Sequence, residues 1–199
     1  MRPARPPAVV PVPASPEAPA FFLGRTAVVN AEYAPVVEDG VVPAPPWWND
    51  PRFASADQPV VGVSWDDAAA FCEWLGRVHG GRWRLPTERE WERAANGGRV
   101  SPRTAWGDEI PDGEIPDGPI SGPWAAGRGQ PNPYGLYDMG TAIHEWCLDR
   151  RGPDRRGSRG GSWRHAVRWS APGASSSLPP SYRYSDYGFR VLRELESGG

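Results

Sequence analysis

Large aromatic residues and backbone-breaking residues are both abundant in this sequence, and their combination limits the folds open to it. Glycine contributes 24 and proline 25 of the 199 residues, a level that on its own would suggest disorder. Eleven tryptophans argue the other way, because so many large aromatic side chains in a soluble chain need a fixed scaffold that buries them. The sequence therefore predicts a compact, loop-rich domain whose irregular backbone is held by aromatic packing.

The charge and hydropathy of the chain exclude several classes of partner. The net charge is −2 and the isoelectric point is about 5.9, and no long basic cluster occurs. Nucleic acid is therefore not an expected partner. No apolar run approaches the length that a membrane span requires, so membrane insertion is not expected either. We predict a cytoplasmic protein, and the sequence does not specify its oligomeric state.

The first twenty residues differ in composition from the rest of the chain. Prolines interrupt the apolar part of residues 1–20 every few positions, which does not suit the core of a signal peptide. Such a composition favours an extended, flexible segment. We therefore predict a disordered Pro/Ala-rich segment over residues 1–20 and a single domain over residues 21–195, long enough for one hydrophobic core.

Two segments carry clear helix signals. Ser64 and Asp67 form an acidic capping box, after which apolar residues recur with helical spacing and place Cys72 on the core face. Thr87 and Glu90 form a second capping box. We expect these two helices to pack together near the middle of the domain.

Other segments carry weaker signals. Asn30 can cap a short helix that Pro35 ends or kinks. Residues 59–63 suggest a short buried strand, and residues 143–149 suggest a short aromatic strand. Together these elements predict an α+β fold with two main helices, a small antiparallel sheet and a high proportion of irregular loop.

The stretch over residues 159–190 concentrates the side chains that could recognise a ligand. It opens with Gly-Gly-Ser-Trp and closes with Gly-Phe-Arg, and we expect Trp163, Phe189 and Arg190 to belong to the scaffold. We give Ser162 a structural role, because the G-x-S-x-G turn that exposes a nucleophile is missing. Clustered aromatic and arginine side chains are typical of binding hot spots. The residues that we predict to contact a ligand are Arg164, His165, Arg168, Trp169, Tyr182, Tyr184 and Asp186.

Four groups of segments carry a resemblance to a known family. They are PVVGVSWDDAAAFCEWL with RWRLPTEREWERAANGG, NPYGLYDM with HEWC, RGGSW, and YGFRV. In this order and at this spacing, the chain resembles the formylglycine-generating enzyme (sulfatase-modifying factor) family over residues 21–193. The resemblance implies a C-type-lectin-like fold with little regular secondary structure, in agreement with the loop-rich domain predicted from composition.

The resemblance also implies a chemistry that this chain lacks the residues to perform. Members of the family oxidise a peptide cysteine with oxygen and a copper ion, and two cysteine thiolates just after the glycine-glycine-serine-aromatic motif hold that ion. Residues 164–173 contain no cysteine. Cys72 and Cys147 lie in other segments, and we expect both to be buried free thiols. Soft thiolates select copper(I), so neither copper nor formylglycine-generating activity is expected here.

Two other metal sites come into question. The resemblance implies a calcium-supporting turn, in which Ala142 replaces the usual asparagine ligand and Glu145 remains, so calcium is the one alternative cofactor. Independently, His144, His165 and a carboxylate from Glu145 or Asp186 have the residue types of an iron(II) facial triad. The adjacent side chains of His144 and Glu145 would point to opposite faces of a strand, which disfavours the triad.

Three functional hypotheses follow, in order of preference. The first is a non-catalytic or catalytically diverged member of the family that acts through binding, as a binding or accessory subunit with a protein partner. The second is an oxygen-dependent metalloenzyme whose site is built without thiolates. The third is a ligand-binding protein diversified by a retroelement, because such proteins use this fold for display and vary the residues between the glycine-rich motif and Gly-Phe-Arg.

Overall fold

The computed structural model describes residues 5–111, 121–166 and 171–195. Within these ranges the chain forms three α-helices and eight short β-strands. In chain order the elements are β1 (Val9–Val12), β2 (Phe21–Gly24), α1 (Asn30–Glu38), α2 (Trp65–His79), β3 (Trp83–Arg84), α3 (Glu88–Asn96), β4 (His144–Arg150), β5 (Arg156–Arg159), β6 (Ser175–Leu178), β7 (Tyr187–Gly188) and β8 (Leu192–Arg193).

The strands form two four-stranded sheets. The first has the order β1-β2-β8-β3 and is antiparallel throughout, so strands from the two ends of the chain meet at its centre. The second has the order β6-β5-β4-β7, in which β4 and β7 are the one parallel pair. The predicted α+β class is confirmed. The described residues contain the two main helices and the short helix near Asn30 that the sequence predicted, and they form two sheets where a single small sheet was expected.

Both predicted capping boxes are present. Ser64 Oγ accepts a hydrogen bond from the Asp67 amide at 3.1 Å, and Asp67 Oδ2 accepts one from the Ser64 amide at 2.9 Å. Thr87 and Glu90 make the equivalent reciprocal pair at the start of α3. Cys72 faces the core from α2, as predicted. Local hydrogen bonding therefore defines where both helices begin.

The first helix differs from its prediction. Val29 precedes it with an extended backbone, and Asn30 is already helical. The Asn30 side chain does not cap α1 but donates to the backbone carbonyls of Phe53 and Ser55, at 2.7 and 2.8 Å. Pro35 lies inside α1 without ending it. The predicted cap at Asn30 is therefore wrong, because this buried side-chain amide satisfies carbonyl groups of a loop that is distant in sequence.

Residues 59–63 are buried as predicted, but they do not form a strand. Pro59 makes a single-residue bridge to Val29. Gly62 has a φ of +74°, a left-handed conformation that interrupts extended backbone. A Cβ at this position would lie 2.7 Å from the ring of Trp47, so only glycine fits here. The valines of this segment thus belong to the core without joining either sheet.

The predicted disorder of residues 1–20 is wrong for part of that segment. Val9–Val12 form β1, the edge strand paired with β2, and the side chain of Val12 is fully buried. An edge strand tolerates Pro11 because one side of it has no ladder hydrogen bonds to make. Arg93 of α3 donates to backbone carbonyls of the residues that follow β1. The folded domain therefore includes residues before Phe21.

Aromatic packing holds the core, as predicted from composition. The rings of Tyr33 and Phe189 both contact Phe71 of α2, with centroid distances of 5.5 and 5.3 Å. Trp91 of α3 and Trp146 of β4 are fully buried. Within the described residues, the helices are too short or too polar to cross a bilayer.

Candidate functional site

The borders of the stretch over residues 159–190 belong to the scaffold. Trp163, Phe189 and Arg190 are buried, as the sequence predicted. The Arg190 guanidinium makes two hydrogen bonds to the Glu145 carboxylate, from Nε at 2.7 Å and from Nη2 at 2.8 Å. Trp91 Nε1 donates to the same carboxylate at 2.6 Å. Glu145 therefore points into the core, on the face of β4 opposite to the site described below.

A tight turn after β5 separates buried from exposed side chains. Gly160 has a φ of +79°, and a Cβ there would lie 2.7 Å from Gly140 Cα, so the two backbones can approach this closely only because residue 160 is glycine. The Trp163 amide then donates to Ala142 O at 3.0 Å. The turn directs Ser162 inward and leaves His165 exposed.

Ser162 is the hub of a small polar network. Its Oγ donates to Asp186 Oδ2 at 3.0 Å. His165 Nδ1 lies 3.2 Å from the Ser162 amide nitrogen and 3.4 Å from Ser162 Oγ. Ser162 is only 1% exposed, so its hydroxyl is not accessible to a substrate and holds its neighbours in place. The structural role expected for Ser162 agrees with this geometry.

His144 lies beside this network at the start of β4. Its Nδ1 donates to Gly160 O at 2.7 Å. The imidazole ring lies 4.7 Å from the ring of Tyr187 and 5.2 Å from that of His165, between centroids. Burial lowers the pKa of His144 below its ordinary value, partly offset by the nearby charge of Asp186. His144 is therefore a neutral imidazole at pH 7.

The two imidazoles share an open cavity of 340 Å³. The cavity is lined by the two imidazole rings and by small or polar residues. The lining residues are His144, Gly160, Gly161, His165, Ala174, Ser175 and Ser176. Ser176 Oγ is 2.8 Å from Tyr187 Oη, which connects β6 to the aromatic floor of the site. We call the cavity and its rim the imidazole cleft.

A row of aromatic rings leads from the surface to the imidazole cleft. Tyr182 and Tyr184 are 46% and 45% exposed, and their rings lie 5.8 Å apart. Tyr184 is 5.9 Å from Tyr187, which in turn stacks near His144. Exposed tyrosines give a large, rigid contact area with a polar tip, which suits recognition of a ligand or a protein.

Arg164 and Asp186 contact each other at the edge of the cleft. Arg164 Nε is 3.5 Å from Asp186 Oδ2, and its Nη2 donates to Ser185 Oγ. The guanidinium also lies over the ring of Trp163, 4.7 Å from its centroid. Arg164 is therefore held by several partners, while half of its side chain remains accessible to solvent.

Five of the seven predicted contact residues lie at or near the imidazole cleft. They are Arg164, His165, Tyr182, Tyr184 and Asp186. Arg168 and Trp169 lie outside the described residues. Ser175, Ser176 and Tyr187 lie within the stretch that the sequence singled out, but the sequence did not name them as contact residues. These residues reach the site through the pairing of β6 with β5 and of β7 with β4, and no local sequence pattern reveals these pairings.

The facial triad considered from the sequence does not form. His144 and His165 come together, but the carboxylate of Asp186 turns toward Ser162 and Arg164, and that of Glu145 faces the core. Across the part of the chain that the structure describes, no three His, Cys, Asp or Glu side chains converge as a metal site.

Three larger cavities occur elsewhere in the described residues. One of 790 Å³ borders Arg99 and Trp106, another of 590 Å³ lies between residues 13–18 and α3, and a third of 440 Å³ borders Asn30 and Trp48. None contains a histidine or cysteine side chain, and most charged side chains of the second make ion pairs or hydrogen bonds within the chain. The imidazole cleft is smaller, but it contains both imidazoles, and a row of aromatic rings leads from it to the exposed pair Tyr182 and Tyr184.

Comparison with known proteins identifies the family. The model of the sulfatase-modifying factor enzyme 1-like domain matches residues 11–195. The formylglycine-generating enzyme of Thermomonospora curvata is 36% identical over 158 residues, which cover 63% of this chain and 50% of that protein. A mouse protein named inactive C-alpha-formylglycine-generating enzyme 2 is 33% identical over 156 residues, 63% of this chain and 49% of that protein. This chain spans about half the length of these curated relatives.

Solved structures show the same fold. PvdO from Pseudomonas aeruginosa superposes with a TM-score of 0.76 at 23% identity, covering 89% of this chain and 82% of that one. At such an identity the likeness establishes the fold alone. The family match covers the predicted domain together with strand β1 from residue 11 onward, and it includes every motif on which the resemblance was based. The chain therefore belongs to the sulfatase-modifying factor, or formylglycine-generating enzyme, domain family.

Proposed function

We propose that this chain acts by binding a protein partner through the imidazole cleft and its exposed tyrosines, without oxidising a peptide cysteine. The main observation behind this proposal is the position of the two cysteine thiols. Cys72 and Cys147 are 2% and 0% exposed and belong to separate core clusters. Burial raises the pKa of both thiols above the ordinary value. Neither therefore supplies the accessible thiolate that copper(I) requires.

The geometry at Glu145 argues against the calcium ion that the family resemblance implies. Calcium takes six to eight oxygen ligands, usually with carboxylates directed at the ion. Both oxygens of Glu145 instead accept hydrogen bonds from Arg190, and one of them also accepts from Trp91. The residues present do not fit calcium at this position, and no step of the proposed function depends on it.

Exposed aromatic side chains support a binding role. Tyr182 and Tyr184 are an exposed pair, and the ring of Tyr184 lies 5.9 Å from that of Tyr187, which packs on His144 of the imidazole cleft. Tyrosine is enriched in the hot spots of protein interfaces. The similarity to a mouse relative named as inactive supports the same interpretation. A rigid scaffold with the aromatic row on its surface could serve as an accessory subunit.

The experiment is purification of the full chain from its source organism with its bound partner, followed by a measured affinity. We expect the double variant Tyr182→Ala/Tyr184→Ala to bind that partner roughly 30-fold more weakly, as truncation of a hot spot does. The matched control is Val41→Ala/Val78→Ala, which truncates two other exposed apolar side chains, one in the loop after α1 and one in α2. It should bind as the wild type does.

Two outcomes would contradict the proposal. One is equal binding by the tyrosine variant and the wild type. The other is copper- and oxygen-dependent conversion of a cysteine to an aldehyde in a sulfatase-type peptide, measured by mass spectrometry beside the Thermomonospora curvata enzyme as positive control. We expect no conversion, because the thiols of Cys72 and Cys147 remain in the core.

A further inference from the structure

The two imidazoles of the cleft have the spacing of a pair of metal ligands. The ring centroids of His144 and His165 are 5.2 Å apart, and the ring planes are inclined by 67°. A nitrogen–metal bond to imidazole is about 2.0–2.1 Å, so two rings that share a tetrahedral ion through Nε2 have centroids about 5 Å apart. The observed centroid spacing matches this arrangement.

A backbone carbonyl orients the first ring. Nδ1 of His144 lies 2.7 Å from Gly160 O. A carbonyl can only accept, so this nitrogen carries the proton and Nε2 presents its lone pair. Histidine ligands of metal ions usually donate their other ring nitrogen to a carbonyl or a carboxylate in this way, which fixes the tautomer and the orientation of the ring.

A serine and an aspartate orient the second ring. In one tautomer His165 Nδ1 accepts from the Ser162 amide at 3.2 Å, and in the other it donates to Ser162 Oγ at 3.4 Å. The Ser162 hydroxyl already gives its own proton to Asp186 at 3.0 Å, so its oxygen can accept from the ring. Only the second tautomer leaves the lone pair on Nε2, and in it the hydrogen bond from the Ser162 amide is lost and the Nδ1 proton is directed toward Ser162 Oγ, the partner of Asp186. Metal binding through Nε2 therefore selects this tautomer.

We propose that His144 and His165 bind one first-row transition-metal ion, zinc(II) or copper(II), through their Nε2 atoms in the imidazole cleft. Imidazole suits both ions. The described residues offer no third His, Cys, Asp or Glu ligand beside this pair. The remaining coordination positions therefore take water or a donor atom of a bound ligand. This inference goes beyond the proposed function and does not rest on it, because the two imidazoles bind the ion whether or not a protein partner occupies the cleft.

The chain offers a direct test, because it has only three histidines. The full chain, without an added histidine tag, is titrated with zinc chloride while the imidazole signals are followed by NMR. We expect the signals of His144 and His165 to shift together at one equivalent. The signal of His79 should not move, because this residue lies at the end of α2 with its ring against Trp74. Copper(II) should broaden the same two signals, and magnesium should affect none.

Matched variants separate the site from adventitious binding. His144→Gln and His165→Gln should each abolish the one-equivalent binding in calorimetry, and His79→Gln should keep it. Ser162→Ala, which removes the link from His165 to Asp186, should lower the affinity roughly 10- to 100-fold. His165 is exposed, so its variant tests the proposal even if Ser162→Ala fails to fold. Absence of binding, or binding that survives His165→Gln, would overturn the proposal.

Discussion

At the scale of single residues, Asp138 has a buried carboxyl group in a left-handed backbone conformation. The residue is 3% exposed and has a φ of +56°. Its two oxygens accept hydrogen bonds from Trp124 Nε1 at 3.0 Å and from the Gly127 amide at 2.6 Å. Burial raises the pKa of Asp138 to about 6 despite these bonds. Asp138 thus connects the loop of residues 121–127 to the core, and its contribution to the free energy of unfolding depends on pH.

The raised pKa predicts a loss of stability between about pH 4 and pH 6. The folded protein binds a proton at Asp138 more tightly than the unfolded chain, so this contribution is complete below pH 4 and disappears as the pH rises through 6. A shift of about two pKa units corresponds to about 3 kcal/mol in the free energy of unfolding. Urea denaturation of the wild type and of Asp138→Asn at pH 4, 5 and 7 measures this pH-dependent part of the free energy of unfolding.

The Asp138→Asn variant is the control for titration of the Asp138 carboxyl group. Asparagine tolerates the left-handed conformation and has one acceptor oxygen, but it does not titrate. The difference in free energy of unfolding between wild type and Asp138→Asn should therefore favour the wild type more at pH 4 than at pH 7. Parallel pH profiles for the two proteins would show that the Asp138 carboxyl does not titrate in this range.

At the scale of elements, strand β1 is part of the folded domain. Its Val12 is fully buried and packs in the core cluster that contains Trp91 and Leu192. We predict that Val12→Ala lowers the free energy of unfolding by roughly 1–2 kcal/mol, because it removes about two buried methylene equivalents. The matched control is Pro11→Ala, an exposed residue of the same strand, which should change the stability little. Equal effects from both substitutions would mean that β1 does not pack as described.

Elements with local hydrogen-bond signals could be predicted from the sequence, and elements that depend on distant partners could not. The start of α2 follows from Ser64 and Asp67, three residues apart, whose bonds form within one turn. Strand β1 has no such signal, because its partner β2 and the side chains that bury Val12 lie elsewhere in the sequence. Its prolines suggested disorder, and only the edge position explains why they are tolerated.

The same distinction applies to the imidazole cleft. The sequence placed His165 near the glycine-rich turn and favoured a structural role for Ser162, but it could not bring Asp186 to Ser162. That contact needs the parallel pairing of β4 with β7, which sets His144 opposite Tyr187. Parallel pairs join segments far apart in the chain, and neither segment carries a pattern that names its partner.

At the scale of the whole molecule, Arg190 joins segments from both ends and the middle of the chain. Besides its ion pair with Glu145 of β4, it donates to Gly24 O at 2.8 Å and to Tyr137 O at 3.1 Å. Glu145 in turn accepts from Trp91 of α3. Arg190 is completely buried, so water cannot replace any of these partners. One buried ion pair therefore connects β2, α3, β4 and the chain that leads into β8.

We predict that Glu145→Gln lowers the free energy of unfolding by about 3–5 kcal/mol, because it leaves the Arg190 cation buried without a counter-charge. Arg190→Met should lower the free energy of unfolding by a similar amount, because it leaves the Glu145 carboxylate buried without a counter-charge. The double variant should cost less than the sum of the two, because it removes both charges together. Asp50→Asn, which breaks an exposed ion pair with Arg52, is the control and should leave stability nearly unchanged. Urea denaturation of all four variants measures the coupling, and strictly additive effects of the two core substitutions would mean that this pair does not connect the fold.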